Sequence, residues 1–414
     1  MSDLKPPRGT HDILPEAHRR HRHVGDTACA IVALYGYAEI STPIFESTDV
    51  FTRTLGETSD VVTKEMYAFE DKKGRRLALR PEGTAGVARA FISHLRSEPL
   101  PIKLFYQGPM FRYERSQKGR QRQFHQFGVE LLGVAEPLGD VEVITLAAHV
   151  LDALGVADEV TLQLNTLGDK ETRLAYREVL VAYLEGHRDG LSEDSRNRLV
   201  RNPLRIFDFK DRGDQEILKN APKLTDHLNQ ASKDFFATVC NGLDAAGVAY
   251  ALNPGLVRGL DYYGHTAFEF VTETLGAQGT VLAGGRYNGL IETMGGPPTP
   301  GIGWAAGIER LAMMIDAPPA PAPAIAVIPV GKDAEAEAMI LALQLRRAGF
   351  PVDLGYSGNL KKRLNRANKA NALAAVLMGD EELSNGVATV RDMKTGEQTE
   401  VGLSKLEDHL ARYR

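Results

Sequence analysis

Two cysteines in 414 residues, Cys29 and Cys240, are too few for a disulfide framework and lack the Cys-x-x-Cys spacing of a zinc site. Both read as packing residues. Long apolar runs are missing as well. No stretch approaches the ~18 residues that a membrane helix needs, and "MSDLKPPRGTHDILP" places charge and prolines where a signal peptide needs an apolar centre. A cytoplasmic protein with no membrane partner is the expectation. Nor is there an excess of positive charge: the formal net charge of −5 excludes coating nucleic acid or an anionic surface by bulk electrostatics, and no DNA partner is expected. Contact with nucleic acid through local patches stays open. What is there is an ordinary globular composition, 43% hydrophobic, enough for a full core divided over two or three domains.

The clearest boundary is "DAPPAPAP" at 316–323, whose four prolines cannot continue a helix and favour an extended linker. The expected domains are 1–320 and 321–414. After the linker, "AIAVIPVG", "FPVDLGY" and "ALAAVLMG" read as strands alternating with helices near 333–348 and 359–371, then two strands flanking "MKTGEQ" and a last helix near 403–413. That order predicts a small α/β module with a mixed sheet. Before the linker, a helix near 15–34 precedes strand-like runs joined by hairpin-type turns, which predicts an α+β domain built on an antiparallel sheet. The charged stretch at about 170–235 is poor in strand signals and reads as a helical insertion.

Positive charge concentrates at 111–130, "FRYERSQKGRQRQFHQFGVE". Read as a hairpin with arms 104–115 and 122–132, strand alternation puts Arg112 and Glu114 on one face of the first arm. On the second arm Phe124, Gln126, Gly128 and Glu130 share a face, opposite His125, Phe127, Val129 and Leu131. Arg115, Lys118, Arg120 and Arg122 crowd the tip. An aromatic ring beside guanidinium groups suits a nucleotide, whose base stacks while its phosphates take bidentate bonds. The same pattern also suits a hairpin whose charges keep an exposed edge soluble.

"FRYE", a loop and "RQFHQFGVE" resemble the second signature motif of class II aminoacyl-tRNA synthetases, and "GIGWAAGIERL" at 301–311 resembles the third. The segment around "YGYAEISTPIFES" is a weak likeness to the first. "LVRGLDYYGHTAFEF" at 256–270 and "AGGRYNGL" at 283–290, with "RPEGT" at 80–84, are similar to signatures of the histidyl-tRNA synthetases, so the resemblance spans nearly the whole chain. The glycine spacing of "GIGWAAG" does not match a dinucleotide fingerprint.

The resemblance implies ATP-dependent activation of L-histidine to histidyl-adenylate and transfer to the 3′ end of tRNA(His), by a homodimer. It implies that Arg112 holds the α-phosphate and the histidine carboxylate, with Arg258 opposite. Arg310 and Arg120 would grip the γ-phosphate, Phe124 stack on adenine with the ring sandwiched against Arg310, and Glu114 accept from its amino group. Glu130 and Tyr263 would read the imidazole nitrogens in a pocket with Tyr262 and Tyr287, while Glu82, Thr84 and Gln126 fix the α-ammonium. Mg2+ would arrive with ATP, and no permanent metal is expected.

A C-terminal anticodon-binding module would offer Lys361, Lys362, Arg363, Arg366 and Lys369, a basic helix without acidic residues, to tRNA phosphates. In "HRRHRHV" at 18–24, His18 and His21 lie one helical turn apart but bring no third ligand, and the run reads as solvated surface. Three other readings compete. One is the histidine-binding regulatory paralogue of ATP phosphoribosyltransferase, whose chains usually lack the C-terminal module and the Arg258 segment. The others are a class II synthetase for threonine, proline or glycine, and an RNA-binding sensor without chemistry.

Overall fold

The computed structural model describes residues 4–56, 59–115, 117, 119–201, 203–208, 211–257, 262–276 and 279–413. The chain separates into Met1–Pro318 and Pro319–Arg414, a division that falls inside the proline run.

In the first unit the strands are β1 (Ala38–Glu39), β2 (Phe45–Ser47), β3 (Ala68–Glu70), β4 (Arg76–Leu79), β5 (Ile102–Phe111), β6 (Gln123–Leu132), β7 (Thr161–Thr166), β8 (Ala251–Leu252), β9 (Gly264–Val271), β10 (Thr280–Arg286) and β11 (Gly301–Gly307). Eight of them form one sheet in the order β1-β5-β6-β11-β10-β9-β7-β8. Its six inner strands are antiparallel neighbours, and only the two-residue edge strands pair parallel. β2, β4 and β3 make a separate small sheet.

β6 shows how the sequence builds this sheet. Phe127, Val129 and Leu131 alternate onto one face and join the main core with the helices Pro15–Leu34, Pro137–Ala153 and Gln230–Ala245. Trp304 of β11, the chain's single tryptophan, is buried there and donates its Nε1–H to the Val143 carbonyl at 3.0 Å. The opposite face is left for the cleft described below.

The hairpin arms are shorter at the tip than the expected 104–115 and 122–132. The ladder runs from Ile102↔Leu132 to Phe111↔Gln123. Beyond it Arg112 turns away to donate Nε–H to the Pro81 carbonyl at 2.9 Å, and Tyr113 N–H bonds the Glu65 carbonyl at 2.6 Å. Arg112 keeps one cross-hairpin bond, its N–H to the Arg122 carbonyl at 2.9 Å, while Glu114 is placed by loop backbone.

The helical stretch begins at Lys170, where Asp169 caps the helix by accepting from Thr172 N–H at 2.7 Å. Its helices enclose a small core of their own around Tyr176, Leu180, Leu184 and Leu199. The last helix, Gln230–Ala245, instead sends Val239 and Leu243 into the main core and serves the sheet.

The second unit holds β12 (Ile325–Pro329), β13 (Val352–Leu354), β14 (Ala374–Met378), β15 (Val387–Asp392) and β16 (Gln398–Gly402), in the order β13-β12-β14-β15-β16. The first three strands are parallel and the last two antiparallel, the mixed sheet expected. The basic helix Leu360–Lys369 needs one correction. Arg363 is buried, donating to the Pro329 carbonyl and lying 3.4 Å from Glu335, so it braces the sheet and is not presented to a polyanion. Lys361, Lys362, Arg366 and Lys369 are exposed. Among the described residues no helix is long and apolar enough to cross a membrane.

Candidate active site

A cavity of about 610 Å³ opens in the first unit, and its wall carries Glu82, Thr84, Arg112, Glu114, Arg120, Phe124, Gln126, Tyr262, Tyr263 and Arg310. Ten of the residues singled out in the sequence thus come together, from the 80–84 loop, the hairpin, the segment before β9 and the helix Ile308–Met314. Glu130 and Tyr287 lie one layer behind the wall, each almost wholly buried. Arg258 and Lys118 lie outside the described residues.

One half of the cavity is cationic. Arg310 lies in the first turn of the helix that directly follows β11, and its guanidinium donates to the carbonyls of Gly119 and Thr280. Burial, together with repulsion from Arg120 and Arg112, pulls the Arg310 pKa below its ordinary value. Arg120 is lowered by burial and by Arg112, against the pull of Glu65. An arginine stays charged through such shifts, so this half of the cavity favours an anion. Glu114 accepts an ion pair from Arg120 and lies 4.0 Å from Arg112. The guanidinium recorded over the Phe124 ring, 5.5 Å from its centre, is that of Arg112.

The other half is polar and aromatic. Both oxygens of Glu82 are occupied at 2.7 Å by the backbone N–H groups of Thr84 and Ala85, which fixes the turn into the helix Thr84–Ala90. Thr84 Oγ1 then donates to Glu130 Oε1 at 2.6 Å, and the Tyr287 hydroxyl donates to Glu130 Oε2. Tyr262, Tyr263 and Tyr287 surround this carboxyl, with ring centres 4.5 to 6.5 Å apart. Burial, reinforced by Glu82, pushes the Glu130 pKa up to about 8, although the hydroxyl donors favour the carboxylate. Among the described residues the buried Gln126 Oε1 has no hydrogen-bond partner, and Gln126 belongs to the cavity wall.

This shift has a consequence for stability. A carboxyl that titrates near 8 when folded and near ~4.3 when unfolded binds a proton on folding between those values. Its contribution is present below ~4.3 and is lost as pH rises through 8. Glu130→Gln removes it, so the melting temperature of the variant relative to the parent should climb between pH 5 and 8.5, by calorimetry, with a total effect on the order of a few kcal/mol.

Sequence reasoning quoted "AGGRYNGL" without giving Arg286 a role. Its side chain is fully buried, donates Nε–H to Asp140 at 2.9 Å and Nη1–H to the Val134 carbonyl at 2.8 Å, and also reaches Asn288. This clamp fixes the end of β10, and with it Tyr287. Asp140→Ala would strand a buried guanidinium and is expected to cost ~3–5 kcal/mol in denaturant unfolding. An arginine beside paired glycines looks the same in sequence whether it binds phosphate or an aspartate 146 residues away.

The histidine run is also corrected. His21 does meet further ligands, from outside its helix: His125 and Glu309, with donor atoms all within 4.8 Å of one another. Burial holds the His21 pKa below its ordinary value, against the pull of Glu309.

Comparison with known proteins identifies the family. A family model described as "Histidyl-tRNA synthetase" matches residues 9–311, and one described as "Anticodon binding domain" matches 324–413. A protein named histidine–tRNA ligase in Rhodospirillum rubrum is 61% identical over 414 residues, all of both chains. One of the same name in Gluconacetobacter diazotrophicus is 56% identical over 411 residues, 99% of each. The crystal structure of apo histidyl-tRNA synthetase from S. aureus superposes with a TM-score of 0.83 at 38% identity, covering 98% of this chain and 99% of that one.

Proposed function

This chain belongs to the histidyl-tRNA synthetase family, and on that premise we propose how its cavity carries out the ligation of histidine to tRNA. The reaction is ATP-dependent activation of L-histidine followed by transfer to tRNA(His). In the first step an oxygen of the histidine carboxylate forms a bond to the α-phosphorus of ATP as the bond to the pyrophosphate oxygen breaks. The nucleophile belongs to the substrate. The protein's share is alignment and charge compensation at the phosphate oxygens.

The observation that carries this reading is the abutment of two unlike halves, a crowd of guanidinium groups against a buried carboxyl ringed by tyrosines. Arg112, at their junction, would hold the α-phosphate and the substrate carboxylate together. Arg310 and Arg120 would take the γ-phosphate, Phe124 the face of adenine, and Glu114 its amino group by a lone pair that Arg120 leaves free. Arg258 is assigned the far side of the α-phosphate. Glu269 and Glu114 are hard oxygen donors on the same wall and fit Mg2+ that keeps most of its ligands from phosphates and water. Bound there, the ion would neutralise charge on the outer phosphates.

Glu130 and Tyr263 would pair with the imidazole nitrogens, and Glu82, Thr84 and Gln126 would hold the α-ammonium. Glu130 is held by Thr84 and Tyr287 and would offer its remaining lone pairs to the ring, so a ring without matching nitrogens forfeits that contact and the one to Tyr263, which can reject analogues by ~10⁴-fold. Because Glu130 titrates near 8 and free imidazole near ~6.5, one proton is shared between the two in that window. kcat/KM for histidine should therefore fall below pH ~6, where both are protonated, and above ~8, where neither is.

In the second step the 3′ hydroxyl of tRNA attacks the histidyl carbonyl, AMP leaves, and a phosphate oxygen of the adenylate takes the proton. Lys361, Lys362, Arg366 and Lys369 would follow the anticodon-stem phosphates. Assembly as a homodimer is what class II likeness implies. A cytoplasmic setting is where its tRNA substrate is found. Charging of tRNA(His) with labelled histidine tests the function: histidine-dependent product supports it, and histidine binding without any charging would instead favour a regulatory paralogue.

A further inference from the structure

We propose that His21, His125 and Glu309 form a binding site for one divalent transition-metal ion of the zinc type, next to Phe124 and Arg310, with Glu309 also on the wall of the cavity. The three ligands come from the helix Pro15–Leu34, from β6 and from the helix Ile308–Met314, and their donor atoms lie within 4.8 Å of one another. His125 Nδ1 is 2.9 Å from Glu309 Oε1, and the two imidazole rings meet edge to face at 5.9 Å. Two imidazoles and a carboxylate are borderline donors that favour zinc over magnesium or calcium, and three protein ligands leave a fourth position for water.

The site is also built to stay in place. The backbone N–H of His125 donates to both oxygens of Glu309, at 2.9 and 3.0 Å, which orients the carboxylate and leaves it lone pairs for a metal. The Glu309 side chain is 13% exposed and that of His125 25%, a half-enclosed setting with an entry path. At zinc–ligand distances of ~2.0–2.2 Å, tetrahedral donors stand roughly 3.3 Å apart. His125 and Glu309 would open slightly, and a side-chain rotation would bring His21 inward. His125 and Glu309 already form a complete hydrogen-bonded pair, so His21 is the ligand that separates a metal site from a simple structural contact. An occupied site would tie the first long helix to the residues next to Phe124 and Arg310. Metal binding is read without turnover, so its failure leaves the ligase reading untouched.

The test is titration of chelator-treated full-length protein with Co2+, followed by its visible absorption, and with Zn2+ in competition with a chromophoric chelator. The expected result is one ion per chain with intense low-symmetry cobalt bands that Zn2+ displaces. His21→Ala and the similar-sized His21→Gln should each lose more than the roughly 10–100-fold in zinc affinity typical of outer-shell changes. His23→Ala, at an exposed position of the same helix, should bind like the parent. No saturable binding, full affinity in either His21 variant, or an equal loss in His23→Ala would overturn the proposal.

Discussion

Arg112→Ala is expected to reduce histidine-dependent ATP–pyrophosphate exchange by roughly 10²–10³-fold, the scale seen when one preorganised donor to a developing oxyanion is removed. The side chain stands where the cationic half meets the carboxyl-lined half, with Nε–H anchored to the Pro81 carbonyl and the guanidinium near Phe124. Anchoring at Nε leaves the two terminal nitrogens for the ligands. Arg112→Lys supplies a charge without the planar fork and should recover little of the loss. The decrease should fall mainly on kcat, because the contact strengthens as charge develops. An Arg112→Ala protein that exchanges at parental rate would remove Arg112 from the chemistry.

Gly303→Ala is the second large effect. An added Cβ there overlaps Glu130 Oε2 and the Val129 backbone carbonyl, and backbone cannot rotate out of the way. The clash lies between β11 and β6, which pair Gly303↔Glu130 in register. Forcing the strands apart should cost ~1–3 kcal/mol or more in unfolding free energy and displace the carboxyl proposed to read the substrate ring, raising the histidine KM along with the loss of stability. Gly289→Ala, whose Cβ would meet nothing within 4 Å, is the control and should change stability by no more than ~0.5 kcal/mol. Equal behaviour of the two variants would show that close packing at Gly303 does not position Glu130.

Where the sequence was legible, periodicity or proline made it so. The helix at 15–34, the alternation of Phe124, Gln126 and Glu130 against Phe127 and Val129, and the mixed sheet after the proline run follow from local spacing. The failures share a cause, which is that burial and pairing are tertiary. Nothing in "LKKRLNRANK" distinguishes Arg363, which folds back onto the Pro329 carbonyl, from the lysines beside it. His21, His125 and Glu309 come from three distant segments, and a search along one helix for a third ligand could not find the other two. Arg112 reaches the cavity one residue past the ladder, still bonded to Arg122 across the hairpin, whereas Glu114 reaches it through the loop rather than through strand alternation.

Pyrophosphate exchange with the purified protein, ATP, Mg2+ and each of the twenty amino acids in turn bears most directly on the claim that guanidinium groups and a buried carboxyl assemble one histidine-activating cleft. Exchange should appear with histidine and be weaker by about 10⁴-fold with every other amino acid. Exchange with none of them, or comparable exchange with threonine, proline or glycine, would contradict it.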